Sequence, residues 1–249
     1  METEFWFFVV VGLLAQLIDG SLGMAYGVAS NTFLLSLGVS PAVASASVHL
    51  AEVFTTAASG ASHWHFGNVD KQLVRKLLLP GVLGGILGAY LLTSIPSEIM
   101  KPFISAYLLV MGVVILLRVF RPKSQIPNPL PELGISGLGL AGGFFDAAGG
   151  GGWGPIVTTT LLVRGNHPRS TIGSVNLTEF AVTLAESATF ALALGIIHWE
   201  VVGGLLVGGV VAAPFGAYFT KKIPVRTLMT VVGCLIIVLS LRTIILELF

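Results

Sequence analysis

The sequence predicts an all-α membrane protein built from two inverted-topology repeats, each a broken or re-entrant helical hairpin followed by three transmembrane helices. Three observations lead there. Only 10% of the 249 residues are charged and 54% are hydrophobic, with a mean hydropathy of +0.91, whereas a soluble domain carries about 25% charged residues. The halves repeat each other: Asp19, Tyr26, Gly27, Pro41, Ser47, His49 and Glu52 recur 127 positions later as Asp146, Trp153, Gly154, Pro168, Ser174, Asn176 and Glu179. Gly88-Ala-Tyr90 and Ile95-Pro96 recur at a shift of 128 as Gly216-Ala-Tyr218 and Ile223-Pro224.

The third observation is the placement of basic residues. If each hairpin returns to the side it entered from, Lys71, Arg75, Lys76, Arg118, Arg121, Lys123, Arg164, Arg169, Lys221, Lys222 and Arg226 share one face. Only Lys101 and Arg242 then fall on the other. If each pair crossed once instead, the bias would vanish. The positive-inside rule favours the return, so the basic face is expected to be cytoplasmic and both termini extracytoplasmic. An odd number of net crossings per half inverts one repeat relative to the other, an architecture many secondary transporters share.

In chain order, the first half carries apolar stretches over about 5–18, 24–37, 42–62, 72–94 and 99–119. The second carries them over about 133–146, 155–163, 169–196, 200–220 and 226–248. The last three of each half are long enough to span roughly 30 Å of hydrocarbon. The first two of each half are shorter, and fit either a re-entrant hairpin or two short crossings. The N-terminus, Met-Glu-Thr-Glu, lacks the basic region of a cleaved signal peptide, so residues 1–20 are expected to stay. The Pro-rich stretch 121–131 divides the chain into a first repeat, 1–120, a cytoplasmic linker, 121–131, and a second repeat, 132–249.

The second hairpin is broken by Asp146-Ala-Ala-Gly-Gly-Gly-Gly-Trp-Gly-Pro155. Each glycine lowers helix propensity by about 1 kcal/mol relative to alanine, and Pro155 suits the first position of a new helix. The spacing predicts a helix ending near Asp146, an unwound loop, and a short helix from Pro155 to about Val163. Broken helices at membrane depth line cavities or lie buried in protein, and their N-termini present N–H groups and a positive dipole end to anions.

The helix after each hairpin bears a polar stripe. Ser45, His49, Glu52, Thr56, Ser59 and His63 follow steps of 4 and 3, one face of an α-helix; Asn176, Glu179, Thr183 and Glu186 do the same. An ionised carboxylate at the bilayer centre costs about 2.5–3.5 kcal/mol, so the stripe must face a cavity or partners. Candidate anion-binding residues are Met24, Tyr26 and Gly27 in the first loop and Gly150, Gly151, Gly152, Trp153 and Gly154 in the second. Ser47, His49, Ser174, Asn176 and Thr178 on the polar helices are hydrogen-bonding candidates. Glu52 and Glu179 are the candidate proton carriers, with Asp19 and Asp146 beside them as carriers or loop caps. An ionised acid repels an anion and a protonated one does not, which ties anion binding to proton uptake.

These residues resemble the TauE/SafE sulfite exporter family, also called TSUP. The resemblance rests on Asp19-Gly-Ser-Leu-Gly-Met-Ala-Tyr-Gly27 with Glu52, and on Gly149-Gly-Gly-Gly-Trp-Gly-Pro155 with Gly173-Ser-Val-Asn-Leu-Thr-Glu179, and it covers essentially the whole chain. It implies a prokaryotic plasma-membrane transporter for sulfite, sulfoacetate, thiosulfate or related organosulfur anions. The partners expected are that anion and the lipid bilayer, with a homo-oligomer compatible and no nucleic acid.

Two other functional classes compete with a transporter. An intramembrane serine protease would use Gly134-Ile-Ser-Gly137, but the charge-derived topology puts Ser136 at the cytoplasmic entry of its helix and His198 in an external loop, beyond the reach a Ser–His pair needs. A passive anion channel would use the same helix ends without a protonatable stripe. Neither an enzyme nor a cofactor is expected. A single cysteine, Cys234, and scattered histidines give no metal-ligand spacing.

Overall fold

Ten helices in chain order make up the computed structural model, which describes residues 2–22, 24–120, 129–195, 199–220 and 225–248. They are α1 (Glu2–Leu22), α2 (Tyr26–Ser36), α3 (Pro41–His65), α4 (Lys71–Ser94) and α5 (Ser97–Phe120), then α6 (Glu132–Gly149), α7 (Thr159–Val163), α8 (Pro168–Leu194), α9 (Trp199–Thr220) and α10 (Val225–Leu248). A π-helical turn, Gly154–Thr158, leads into α7. The chain is an all-α membrane protein. The side chain of Asp19 and residues 121–128 of the expected linker lie outside the described residues.

Local chemistry sets the boundaries. Pro41 and Pro168 open α3 and α8, where a missing N–H costs nothing. Asp70 caps α4 by accepting from the N–H groups of Gln72 and Leu73. Pro80 inside α4 cannot donate to the carbonyl of Lys76, and the Ser136 hydroxyl of α6 donates to that oxygen at 3.3 Å.

Four helical segments are long and apolar enough to cross a membrane: Lys71–Ser94, Ser97–Leu117, Arg169–Leu194 and Met229–Leu246. At 25 residues α3 has the length as well, but carries the polar stripe. Large apolar side chains point outward along these helices. Leu79, Phe103, Leu192 and Val238 are each more than 60% exposed, as lipid-facing residues should be.

Helix directions follow from which residues meet. On α3 and α8, His49 meets Glu186, Ser59 meets Asn176 and Gly60 meets Leu177; the numbers run in opposite senses, so the pair is antiparallel. On α5 and α10, Gly112 meets Ile236 and Gly233 meets Leu116, again antiparallel. By contrast α4 and α6 run parallel: Leu77 meets Gly139, Gly84 meets Leu140, and Gly88 meets Phe144 and Ala148. So do α1 and α9, where Phe5 and Phe8 meet Gly204 and Val9 meets Gly208.

The same positions recur in the packing of both halves. Gly12 lies against Leu205 as Gly139 lies against Leu77. One buried cluster holds Tyr26, Leu34, Val48 and Leu205; another holds Trp153, Leu161, Val175 and Leu77. Each residue of the first set is 127 or 128 positions from its counterpart in the second. The first helix of each half therefore packs on the fourth helix of the other half, α1 on α9 and α6 on α4. Between these flanks α3 and α8 face each other and bring the two polar stripes together.

Candidate functional site

The two hairpin tips meet backbone to backbone. A side chain at Gly151 would collide with the backbone of Gly27 and Val28. One at Gly154 would lie 2.9 Å from Met24 Cβ, and one at Gly27 would lie 2.9 Å from Gly151 Cα. Such an approach is open only to glycine. Gly150 and Gly151 also take φ of 77° and 123°, where a Cβ is strained. Asn31 of α2 bridges the tips: it donates to the Gly27 carbonyl at 3.3 Å and lies against Gly150.

Asp146 organises the second tip. Its Oδ1 accepts from the N–H groups of Gly152 at 2.6 Å and Trp153 at 2.9 Å, and its backbone carbonyl accepts from Gly151 at 2.7 Å. Tyr107 of α5 donates to the Gly151 carbonyl at 3.0 Å. Trp153 is fully buried, with its indole N–H donating to the Val175 carbonyl at 3.3 Å. The N–H groups of Gly152 and Trp153 are thus engaged by a carboxylate of the protein itself. At the first tip α2 follows Ala25, which takes φ 100° and has no side-chain oxygen of its own to act as a cap.

A cavity of about 270 Å³ opens between the tips and the polar faces of α3 and α8. From the first tip Met24, Tyr26, Gly27 and Val28 line it; from the second, Gly152, Trp153, Gly154 and Pro155. Glu52, Ser59, Glu179, Asn176 and Asp146 supply its polar wall. Asn176 donates to Ser59 at 3.1 Å across the helix pair. Glu52 is buried and Glu179 half-buried. A side chain on Gly27 would come within 3.2 Å of Glu52 Oε1, so this carboxyl group stands at the N-terminus of α2.

Below the cavity lies a fully buried cluster. His49 Nε2 is 3.2 Å from Glu186 Oε2 and 3.5 Å from Asp146 Oδ2. His49 Nδ1 faces the Ser45 carbonyl at 2.6 Å and the Ser45 hydroxyl at 3.2 Å. These three side chains form the one group among the described residues whose ligand atoms, all within 4.8 Å of one another, could hold a metal ion. Three protein atoms are fewer than a closed four-coordinate site uses.

The candidates read from sequence divide accordingly. Met24, Tyr26, Gly27, Gly152, Trp153, Gly154, Asn176, Glu52, Glu179 and Asp146 come together around the cavity. Gly150 and Gly151 lie behind it, in the contact between the tips. His49 sits in the buried cluster. Ser174 falls between the lining residues Ile172 and Asn176 but on another face of α8, accepting from the Asp70 N–H at 2.8 Å, and Thr178 donates to the Ser174 carbonyl. Ser47 lines a separate, apolar pocket between α3, α8 and α9. Glu186 was visible as a member of the polar stripe but not as a site residue. Its signal was a carboxylate where the other half has Ser59, 127 positions earlier. Ser136, the serine of the protease pattern, supports Pro80.

The profile of the sulfite exporter TauE/SafE family matches residues 8–243. The chain is 48% identical over 247 residues to the probable membrane transporter protein YtnM of Bacillus subtilis (strain 168), covering 96% of this chain and 82% of that one. It is 23% identical over 222 residues to the probable membrane transporter protein YdhB of the same organism, covering 86% and 88%. It is 19% identical over 249 residues to the probable membrane transporter protein YjnA, also of that organism, covering 95% and 98%. No solved structure matches the chain.

Proposed function

The chain belongs to the sulfite exporter TauE/SafE family of membrane transporters, and we propose that it is a secondary transporter, not an enzyme, moving a small sulfur-containing anion across the prokaryotic plasma membrane. The observation that carries this reading is the cavity between the hairpin tips. It joins the N-terminus of α2, the side-chain amide of Asn176 and the carboxyl groups of Glu52, Asp146 and Glu179 in one space. The helix end offers N–H donors and about half a positive charge, enough to favour an oxyanion without a buried lysine or arginine. Sulfite, thiosulfate and sulfoacetate are the class of substrate; membership of the sulfite exporter family and the polar wall of Glu52, Ser59, Asn176 and Glu179 support it.

Glu52 and Glu179 are the proposed coupling acids. Each stands at the same position of its half and borders the cavity. Ionised, they oppose an anion a few ångströms away; protonated, they do not. Export follows if the anion leaves toward the side from which the proton enters. The antiparallel α3–α8 and α5–α10 pairs support hairpins that return to the side they entered from, hence inverted halves with the basic face cytoplasmic and both termini outside.

The test is flux into proteoliposomes of sulfite, thiosulfate, sulfoacetate and short carboxylates, with and without an imposed pH gradient. Accumulation of a sulfur anion above its equilibrium level, driven by the gradient, is the expected result. Movement only down the anion's own gradient would make the protein a passive channel. Equal movement of acetate and sulfite would remove the sulfur-anion assignment.

A further inference from the structure

The tautomer of His49 follows from its neighbours. The Ser45 hydroxyl donates to the Ala147 carbonyl at 2.8 Å, so toward Nδ1 it can only accept. The Ser45 carbonyl, 2.6 Å from Nδ1, can only accept as well. Two acceptors require Nδ1 to carry the hydrogen. Nε2 then presents either a bare lone pair or a second N–H to the oxygens of Asp146 and Glu186. A bare lone pair would set three electron-rich atoms against each other in a site where His49 and Glu186 are wholly inaccessible and Asp146 is 2% exposed. Among the described residues no lysine or arginine pairs with either carboxyl group. Buried charge without compensation is costly enough that such groups take up a proton instead.

A second observation comes from the repeat. The shift of 127 carries His49 onto Asn176 and Ser59 onto Glu186. The fold makes this contact twice between α3 and α8, once as His49 with Glu186 at 3.2 Å and once as Asn176 with Ser59 at 3.1 Å. One copy is titratable and the other neutral. A tie that served packing alone is already met by the neutral pair.

We propose that His49, Glu186 and Asp146 form one buried proton-holding centre, and that Asp146 links its occupancy to the glycine loop that borders the substrate cavity. Loading forms an N–H bond at Nε2 or an O–H bond on one of the two carboxyl groups, with the proton taken from water at the cavity. Unloading breaks that bond and returns the proton to water past Asp146, the only one of the three that lines the cavity. No electron is exchanged. Through Oδ1 the same Asp146 holds the N–H groups of Gly152 and Trp153, so a change of charge on the centre alters the hold on the loop. Among the described residues, the ionisable groups around the centre are Glu52 on α3, one turn from His49, and Glu179 on α8, two turns from Glu186. Tyr107 on α5 and Tyr26 on α2 border the two tips. From α4, Gly85 faces Glu186 and brings no charge.

The role in coupling rests on the transport reading above; the existence of the proton centre does not. The test has two arms. The variant is the double substitution His49→Asn with Glu186→Ser, which installs the neutral pair that the other half already packs; Glu186→Gln is read alongside it should the double variant aggregate. In the first arm, purified wild type and variant are titrated with pH and followed by H2O/D2O difference infrared spectroscopy. The expected result is an exchangeable carboxylic-acid or imidazolium band in the wild type that titrates and is missing from the variant. A band unchanged in both variants overturns the proposal. So does a stoichiometric metal ion in the wild type that the variant loses, which would make the cluster a cation site.

The second arm uses thiosulfate in proteoliposomes carrying an internal pH dye. Thiosulfate–thiosulfate exchange at equal pH should persist in the variant, while the proton movement that accompanies net thiosulfate flux should fall well below the wild-type level, Glu52 and Glu179 being left in place. Undiminished proton movement overturns the coupling role. If the wild type moves no thiosulfate, the substrate reading fails there, and the infrared arm still decides the proton centre.

Discussion

Gly27 and Gly151 touch through their backbones, so the hairpin of one half is in direct contact with the hairpin of the other. Neither can gain a side chain without moving its neighbour, and Gly151 in addition sits at φ 123°. Replacing Gly151 with alanine or valine should abolish anion flux, with backbone strain and overpacking together costing about 2–5 kcal/mol. Gly38, at φ 88° with open space around it, is the control. Its alanine variant should lose about 1 kcal/mol from the left-handed backbone alone and transport normally. Thermal denaturation in detergent and proteoliposome flux measure both, and normal flux in the Gly151 variants would reduce the contact to packing.

Glu52 and Glu179 give the pH prediction. An anion in the cavity favours the protonated acids, so by linkage anion binding should tighten as pH falls, by up to about tenfold per pH unit for each coupled proton. Glu→Gln imitates the protonated form. The single variants should keep anion exchange with a flattened pH profile, and the double variant should ignore an imposed proton gradient. His49 beside one acid and Asn176 beside the other predict unequal single effects. A wild-type profile in all three would make the stripe structural.

Ser136→Ala removes the donor that serves the Lys76 carbonyl left open by Pro80. The expected cost is about 1 kcal/mol of stability, with flux unchanged. A loss of proteolytic activity in this variant, in an assay where the wild type cleaves a membrane substrate, would instead revive the protease reading.

Topology is checked with single cysteines in a Cys234→Ser background. A cysteine at Gln125 should react with impermeant reagents only from the cytoplasm, and one at Thr3 only from outside. Labelling of both from one side would contradict an odd number of net crossings per half.

Periodicity and composition made most of the fold legible. The stripe at steps of 3 and 4 located α3 and α8, and the run of glycines marked the break before α7. The π-helical turn Gly154–Thr158 was not legible, because the expected helix start at Pro155 says nothing of a wider turn. The pairing of α1 with α9 and α6 with α4 was also hidden: both are set by glycine faces meeting across halves, and a small residue in a sequence does not name its partner. At the site, the paired glutamates and glycine tips could be read from their equal positions. What Asp146 does could not. A carboxylate before a glycine loop fits either a cap or a carrier, and only its distances to Gly152, Trp153 and His49 show it joined to both sides. Ser174 and Thr178 carried hydroxyls close in sequence to Asn176 and Glu179, but they are not members of the stripe and stand on another face of α8, where Ser174 binds the backbone of Asp70.

The exchange of packing partners between halves bears on how the protein is made. When the ribosome has finished α5, α1 and α4 are already in the bilayer, yet the helices they pack against, α9 and α6, have not been synthesised. The glycine faces at Gly12, Gly84 and Gly88 are therefore open to lipid or to insertion machinery until the second half arrives. The newborn first half is a waiting partner, not a finished module. Expressed alone it should be an unstable species cleared by proteases, and co-expression of the second half as a separate chain should rescue it.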